Sequence, residues 1–297
     1  MAACARFEVR ELDANISPEQ ARQVLSMLTD GGSMDAINTP LALRLIGLAQ
    51  ELGEEDLAKR LLDHALEAAA DDSERMWTRF EGLKMANAGT SAFEQLAETV
   101  SEAEGVADLN AAVHHHLALM FLADDALTEA RAMVQRSLAV RETNNDREGI
   151  TYGLALLVAV AKRQHDMDTA IAAGTQRLEL LGSMNKHTAK MEALADLAHA
   201  QATIGAFEVA NELFSESLEL ATELEDLSGQ LVARWGLADL AEIGEDYETA
   251  MLVLSDCLHA FMAENVPTPA AVRQRIQALT ALRDDGATGD GKGPDEL

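Results

Sequence analysis

Basic residues are scarce in this chain: 23 lysines and arginines stand against 51 acidic residues, a net charge of −28. Nucleic-acid binding rests on a basic surface that displaces counterions from phosphate, so that deficit argues against a nucleic-acid partner, and equally against an anionic membrane surface. There are two cysteines, Cys4 and Cys257, too few for a disulfide framework or a zinc cluster and in keeping with a reducing cytoplasm. No uninterrupted run of about 18 apolar residues is present, so no membrane span is expected. The opening stretch MAACARFEVRELDANIS has charges throughout and no apolar core, so no signal peptide is expected and the protein reads as cytoplasmic. Prolines number five and aromatics make up 4% of the chain. What remains is dominated by alanine, leucine, glutamate and methionine, all good helix formers, and an all-α chain follows.

The helices repeat. GEEDLAKRLLDHALEAA begins at Gly53, GAFEVANELFSESLELA at Gly205 and GEDYETAMLVLSDCLHA at Gly244. Each has an alanine five or six residues after the glycine, a large apolar residue at plus four, a small residue at plus seven and a large one at plus eight. These series are Ala58, Leu62, Ala65, Leu66; Ala210, Phe214, Ser217, Leu218; and Ala250, Leu254, Cys257, Leu258. Ala130 heads a fourth copy with Val134, Ser137 and Leu138, and Ala92 and Ala170 follow on spacing, although Gly174 stands where a large residue is wanted. Successive alanines are 34, 38, 40, 40 and 40 residues apart. Upstream of them lie further apolar series at helical spacing, such as Leu41, Leu45, Leu48, Ala49 and Leu194, Leu197, Ala198. Each unit therefore reads as helix, tight turn, helix, with the glycine supplying a positive φ at the turn.

An apolar helix, a turn glycine and an alanine followed at plus four by a large apolar residue resemble the tetratricopeptide repeat. Residues 39–73 have about the usual 34-residue length, and later units look like lengthened versions of about 40. The resemblance covers about residues 39–260, with most of the family's Trp, Tyr and Pro positions filled by other residues. It implies a right-handed helical-repeat solenoid of about six helix pairs over 39–264. Around it the reading places an N-terminal segment and capping helix (1–38), a C-terminal capping helix (265–283) and a disordered acidic tail (284–297). Ser17-Pro18-Glu19-Gln20 forms a capping box with proline at the first helical position, predicting a helix to about Thr29. Thr268-Pro269 predicts another, to about Leu282.

Nothing in the chain reads as an enzyme, a metal site or a cofactor site. His114, His115 and His116 are consecutive on a helix, about 100° apart, and cannot converge on one ion. GDGKG at 289–293 lacks the Ser or Thr, the strand and the helix of a phosphate loop. Acidic runs such as Glu216, Glu219 and Glu223 read as solvated helix faces.

Charge is uneven. Nine basic and six acidic residues lie between Arg131 and Lys190, whereas residues 191–260 hold fifteen acidic residues and Arg234 alone as a base. In the resembling family the first helix of each unit lines the groove that takes ligands. One column there falls fifteen residues before each alanine: Leu43, Trp77, His115, Ala155, Ala195 and Trp235. With Tyr152, Lys162, Arg163 and His199, the residues Trp77, His115 and Trp235 form the expected partner-binding groove. The role this implies is a non-enzymatic scaffold or adaptor holding a peptide or helix of a protein partner. A self-assembling structural scaffold (a homo-oligomer) and a ligand-responsive sensor remain alternatives.

Overall fold

The computed structural model describes residues 17–289, and all regular structure among them is helical. A lone helix α1 (Pro18–Thr29) comes first. The pairs that follow are α2 (Thr39–Glu51) with α3 (Glu55–Ala68), α4 (Asp72–Met85) with α5 (Thr90–Glu102), α6 (Ala107–Ala123) with α7 (Leu127–Thr143), α8 (Arg147–Arg163) with α9 (Met167–Leu181), α10 (His187–Thr203) with α11 (Phe207–Glu223), and α12 (Leu227–Ile243) with α13 (Tyr247–Ala263). A lone α14 (Ala270–Gly289) ends the series. The chain divides into two compact units, 1–156 and 157–297, with the boundary inside α8. No described helix is long and apolar enough to cross a membrane. Cys4 and the GDGKG run beyond Gly289 lie outside the described residues.

α1 begins on the expected capping box: the Ser17 hydroxyl accepts from the Gln20 amide, and the Gln20 side chain accepts from the Ser17 amide. α14 does not stop near Leu282 but continues to Gly289. Extending an existing helix adds one hydrogen bond per residue ordered, with no new nucleation cost, which carries it into the polar sequence.

Every first helix ends the same way. A residue at positive φ closes it: Gly53, Asn87, Asp125, His165, Gly205 and Glu245, at φ values of 47° to 82°. The amide after it reaches back five residues, as Glu54 to Ala49 and Asp246 to Ala241 (both 2.9 Å), satisfying carbonyls that the helix end would leave orphaned. The third glycine-headed copy is corrected here, since Gly244 has φ −81° and Glu245 takes the left-handed conformation. Measured from that residue, the alanine always falls five positions on. Ala58, Ala130, Ala170, Ala210 and Ala250 are all fully buried.

α5 departs from this pattern. The other second helices start two residues after the left-handed residue, whereas Gly89 adds one residue to the turn after Asn87 and α5 starts at Thr90. The core position moves by one, so Phe93 is buried and Ala92 only half-buried.

Size is traded across the packed faces. Gly236 of α12 lies on the Phe214 ring, where a Cβ would sit 2.3 Å from it, and Gly153 of α8 lies against Leu138. Gly174, out of place as a plus-four residue, accommodates Leu197 of α10, whose nearest carbon would be 3.3 Å from an added Cβ. The small plus-seven serines also bond across each pair. Ser137 donates to the Ala111 carbonyl (2.8 Å) and Ser217 to the Met191 carbonyl (2.9 Å). The plus-eight position is less uniform: Leu138 is buried, Leu218 and Leu258 are half-buried, and Leu66 is 61% exposed, rotated off the stripe of Leu57, Ala58, Leu61 and Ala65.

Overpacking a full core costs about 1–3 kcal/mol. Gly236→Ala, which drives a methyl into the buried Phe214 ring, is expected to lower stability by about that amount in chemical denaturation, and an unchanged midpoint would contradict the close approach.

Candidate functional site

In the first unit two of the expected groove residues, Trp77 and His115, lie in the core. Trp77 is 4% exposed and stacks edge-on to Phe80 (6.0 Å between centroids), which meets Phe93 of α5 (6.0 Å) and His116 of α6 (5.7 Å) in the same manner. His115 is 2% exposed, and its Nδ1 has no hydrogen-bond partner. Both residues are therefore corrected: the column fifteen before each alanine is largely a packing column, with Leu43 and Ala195 buried as well. Large side chains in it fill the space between successive pairs and leave no face for a partner.

The three histidines have separate environments. His114 Nδ1 pairs with the Asn110 carbonyl on its own helix (2.9 Å). Burial pushes His115 down to about 3, helped by Arg141 and His116, and pushes His116 down to about 4, helped by Lys84. No group of three or more metal-binding side chains is present among the described residues. Tyr152 is half-buried, and its hydroxyl donates to Glu148 one turn back (2.7 Å).

In the second unit, Lys162 of α8 meets Asp196 of α10 (3.2 Å), and the buried Arg177 of α9 reaches Asp196 (3.5 Å) and Glu192 (3.6 Å) from the other side. His199 stands one turn after Asp196, edge-on to Phe214 (4.8 Å), and burial followed by the Lys162 charge holds it below the usual histidine range. Burial raises the Glu192 carboxyl, with Arg177 acting against it. Trp235 is half-buried on α12 beside Leu231 and Ala238. One turn on, Asp239 accepts from Arg275 of α14 (3.2 Å), which also meets Glu242. Arg163, the last residue of α8, is exposed.

Lys162 and His199 are thus brought together, Trp235 stands on a neighbouring first helix, and Asp196, Asp239 and Glu242 supply a row of carboxylates that the sequence reading missed. Their spacing gives no repeat signal, since the residue 40 positions after Asp196 is Gly236. Nor does the basic segment carry a free basic surface at every position. Arg141 is buried against Asp146 (2.6 Å), and Lys190 bridges to Glu216 (2.6 Å).

No protein-family model and no curated protein matches this sequence. Solved structures do match. The Cut9–Hcn1 hetero-tetramer of the APC/C is 14% identical over 88% of this chain and 45% of that chain, with a TM-score of 0.59. The STAND ATPase with a tetratricopeptide repeat sensor from Pyrococcus horikoshii is 14% identical over 91% of this chain and 44% of that one, at 0.56. The C-terminal part of a TPR repeat-containing protein from Cytophaga hutchinsonii is 13% identical over 86% and 93%, at 0.53. The chain has the tetratricopeptide-repeat fold. It spans less than half of the first two of these neighbours, and at such identities the likeness concerns the tetratricopeptide architecture itself.

The buried histidines give the first unit a definite acid response. The unfolded chain takes up protons at His115 and His116 near pH 6.5, whereas the folded unit resists until about pH 3 and 4. Their contribution to stability is present above pH 6.5 and is lost as pH falls toward 4, by about 1.4 kcal/mol per pH unit for each group. Thermal unfolding should show the melting temperature dropping between pH 7 and 5, with a smaller drop in His116→Phe; equal drops would contradict the assignment.

Proposed function

We propose that this protein is a non-enzymatic scaffold that holds a peptide or helix of a partner protein against the first helices of its repeats. The observation that carries the reading is the face of the second unit, where Lys162, His199 and Trp235 remain half-buried while the packing behind them is closed. Half-exposed aromatics with neighbouring charged groups supply binding energy and register respectively. The fold supports it as well, because neighbouring pairs bury each other's apolar faces and the surface exists without a ligand. The net charge of −28 favours a protein partner over nucleic acid.

The test is capture from the native lysate, comparing wild type with Trp235→Ala and with Lys162→Glu at low and high salt. The expected result is a protein partner whose recovery falls at least tenfold with Trp235→Ala and becomes less salt-sensitive with Lys162→Glu. A partner held equally by both variants would move the site elsewhere, and recovery of the protein alone would favour self-assembly.

A further inference from the structure

The second unit has an apolar edge that lies apart from the first-helix face. α10 and α12 are both first helices and are in contact, and each turns through a three-residue link into an antiparallel partner. The C-terminal ends of these two helices therefore lie along one edge together with the N-terminal ends of α11 and α13. On that edge Ile204, Phe207 and Ile243 are 54%, 42% and 57% exposed. Single exposed aliphatic residues are ordinary, but three large ones on two adjoining turns make a patch of the kind that marks a contact surface. Within the second unit the preceding turn, between α8 and α9, has Arg163 and Gln164 where these have Thr203 with Ile204 and Ile243 with Gly244, so in this unit the apolar character belongs to the last two turns. Glu208, Glu245 and Glu248 border the patch, all exposed.

We infer that this edge docks a basic amphipathic helix of a partner protein, its apolar stripe on Ile204, Phe207 and Ile243 and its lysines or arginines against Glu208, Glu245 and Glu248. Charge selects the occupant. A second copy docking through this same edge would bring its own carboxylates against the rim, and an anionic bilayer would bring phosphates, so both are repelled. A basic partner gains from the same rim, and residues 191–260, with fifteen acidic residues and one arginine, steer it there.

The probe is a labelled 18-residue helical peptide with leucine on one face and lysine on the other, titrated by fluorescence anisotropy at physiological salt. Five proteins are compared: wild type, Ile204→Ser/Phe207→Ser/Ile243→Ser, Glu208→Gln/Glu245→Gln/Glu248→Gln, Trp235→Ala, and Glu212→Gln/Glu219→Gln/Glu223→Gln on the outer face of α11 as a charge-matched control. The side chains substituted in the triple variants are exposed, and melting curves matching wild type confirm folding. The expected result is at least tenfold weaker binding in the apolar variant, a shallower salt dependence in the rim variant and wild-type affinity in the control. Equal weakening in the rim and control variants with no effect of the apolar one would show unspecific attraction and overturn the proposal. Loss with Trp235→Ala in place of the apolar variant would put the helix on the first-helix face instead. Concentration-dependent dimers that the apolar variant abolishes would make the edge a contact between copies, which also overturns it.

Discussion

Each helix pair closes on one residue held at positive φ, and in every pair but α4–α5 the residue five positions later packs into the core. The left-handed conformation lets the chain reverse while its amides still satisfy the last carbonyls of the first helix, so the second helix leaves the turn at a set angle and phase. Once that phase is set, the plus-four, plus-seven and plus-eleven positions follow. Ala210, Phe214, Ser217 and Ala221 illustrate this, as do Ala250, Leu254, Cys257 and Phe261, all buried on one stripe. Glycine suits the conformation best, yet asparagine, aspartate, histidine and glutamate carry it here, so the tertiary gain outweighs the local cost at those turns.

That geometry brings helix backbones close together, and the sequence answers with complementary sizes. Gly236 under Phe214, Gly153 under Leu138 and Gly174 under Leu197 each free the space that a large neighbour fills. Polar groups inside the pairs follow the same economy. Ser137 and Ser217 satisfy themselves on carbonyls of the facing helix, and Arg141 and Arg177 are kept inside by Asp146 and by Glu192 with Asp196.

The repeat was legible because its markers are local. Alanine, a large residue and a small one at fixed spacing identify Ala58, Ala130, Ala210 and Ala250 as core positions, and the 40-residue interval adds Ala170. The turn at Asn87 was not legible, since the extra Gly89 changes the phase of α5 without changing its composition. The left-handed residue was misplaced at Gly244 because glycine draws attention away from the glutamate beside it. The candidate face was harder to read. Lys162 and His199 could be placed together from the repeat, but the same count leads into the core at Trp77, in a shorter unit, and also at His115, whose unit is as long as the later ones. Charge pairs such as Arg177 with Asp196 join positions 19 apart and leave no periodic trace, so a segment rich in arginine looked more open than it is.

The packed pairs of the second unit leave Lys162, His199 and Trp235 half-buried on the first helices and Ile204, Phe207 and Ile243 exposed at the ends of those helices. Both rest on the phase set at the turns. The direct test of that phase is to delete one residue from two different turns and measure thermal unfolding. Removing Gly89 puts Phe93 five residues after Asn87, restoring the common spacing, whereas removing Ala206 puts Asn211 in place of Ala210. The account predicts that the first deletion melts within a few degrees of wild type and that the second unfolds the second unit at much lower temperature. Similar losses from the two deletions would contradict it.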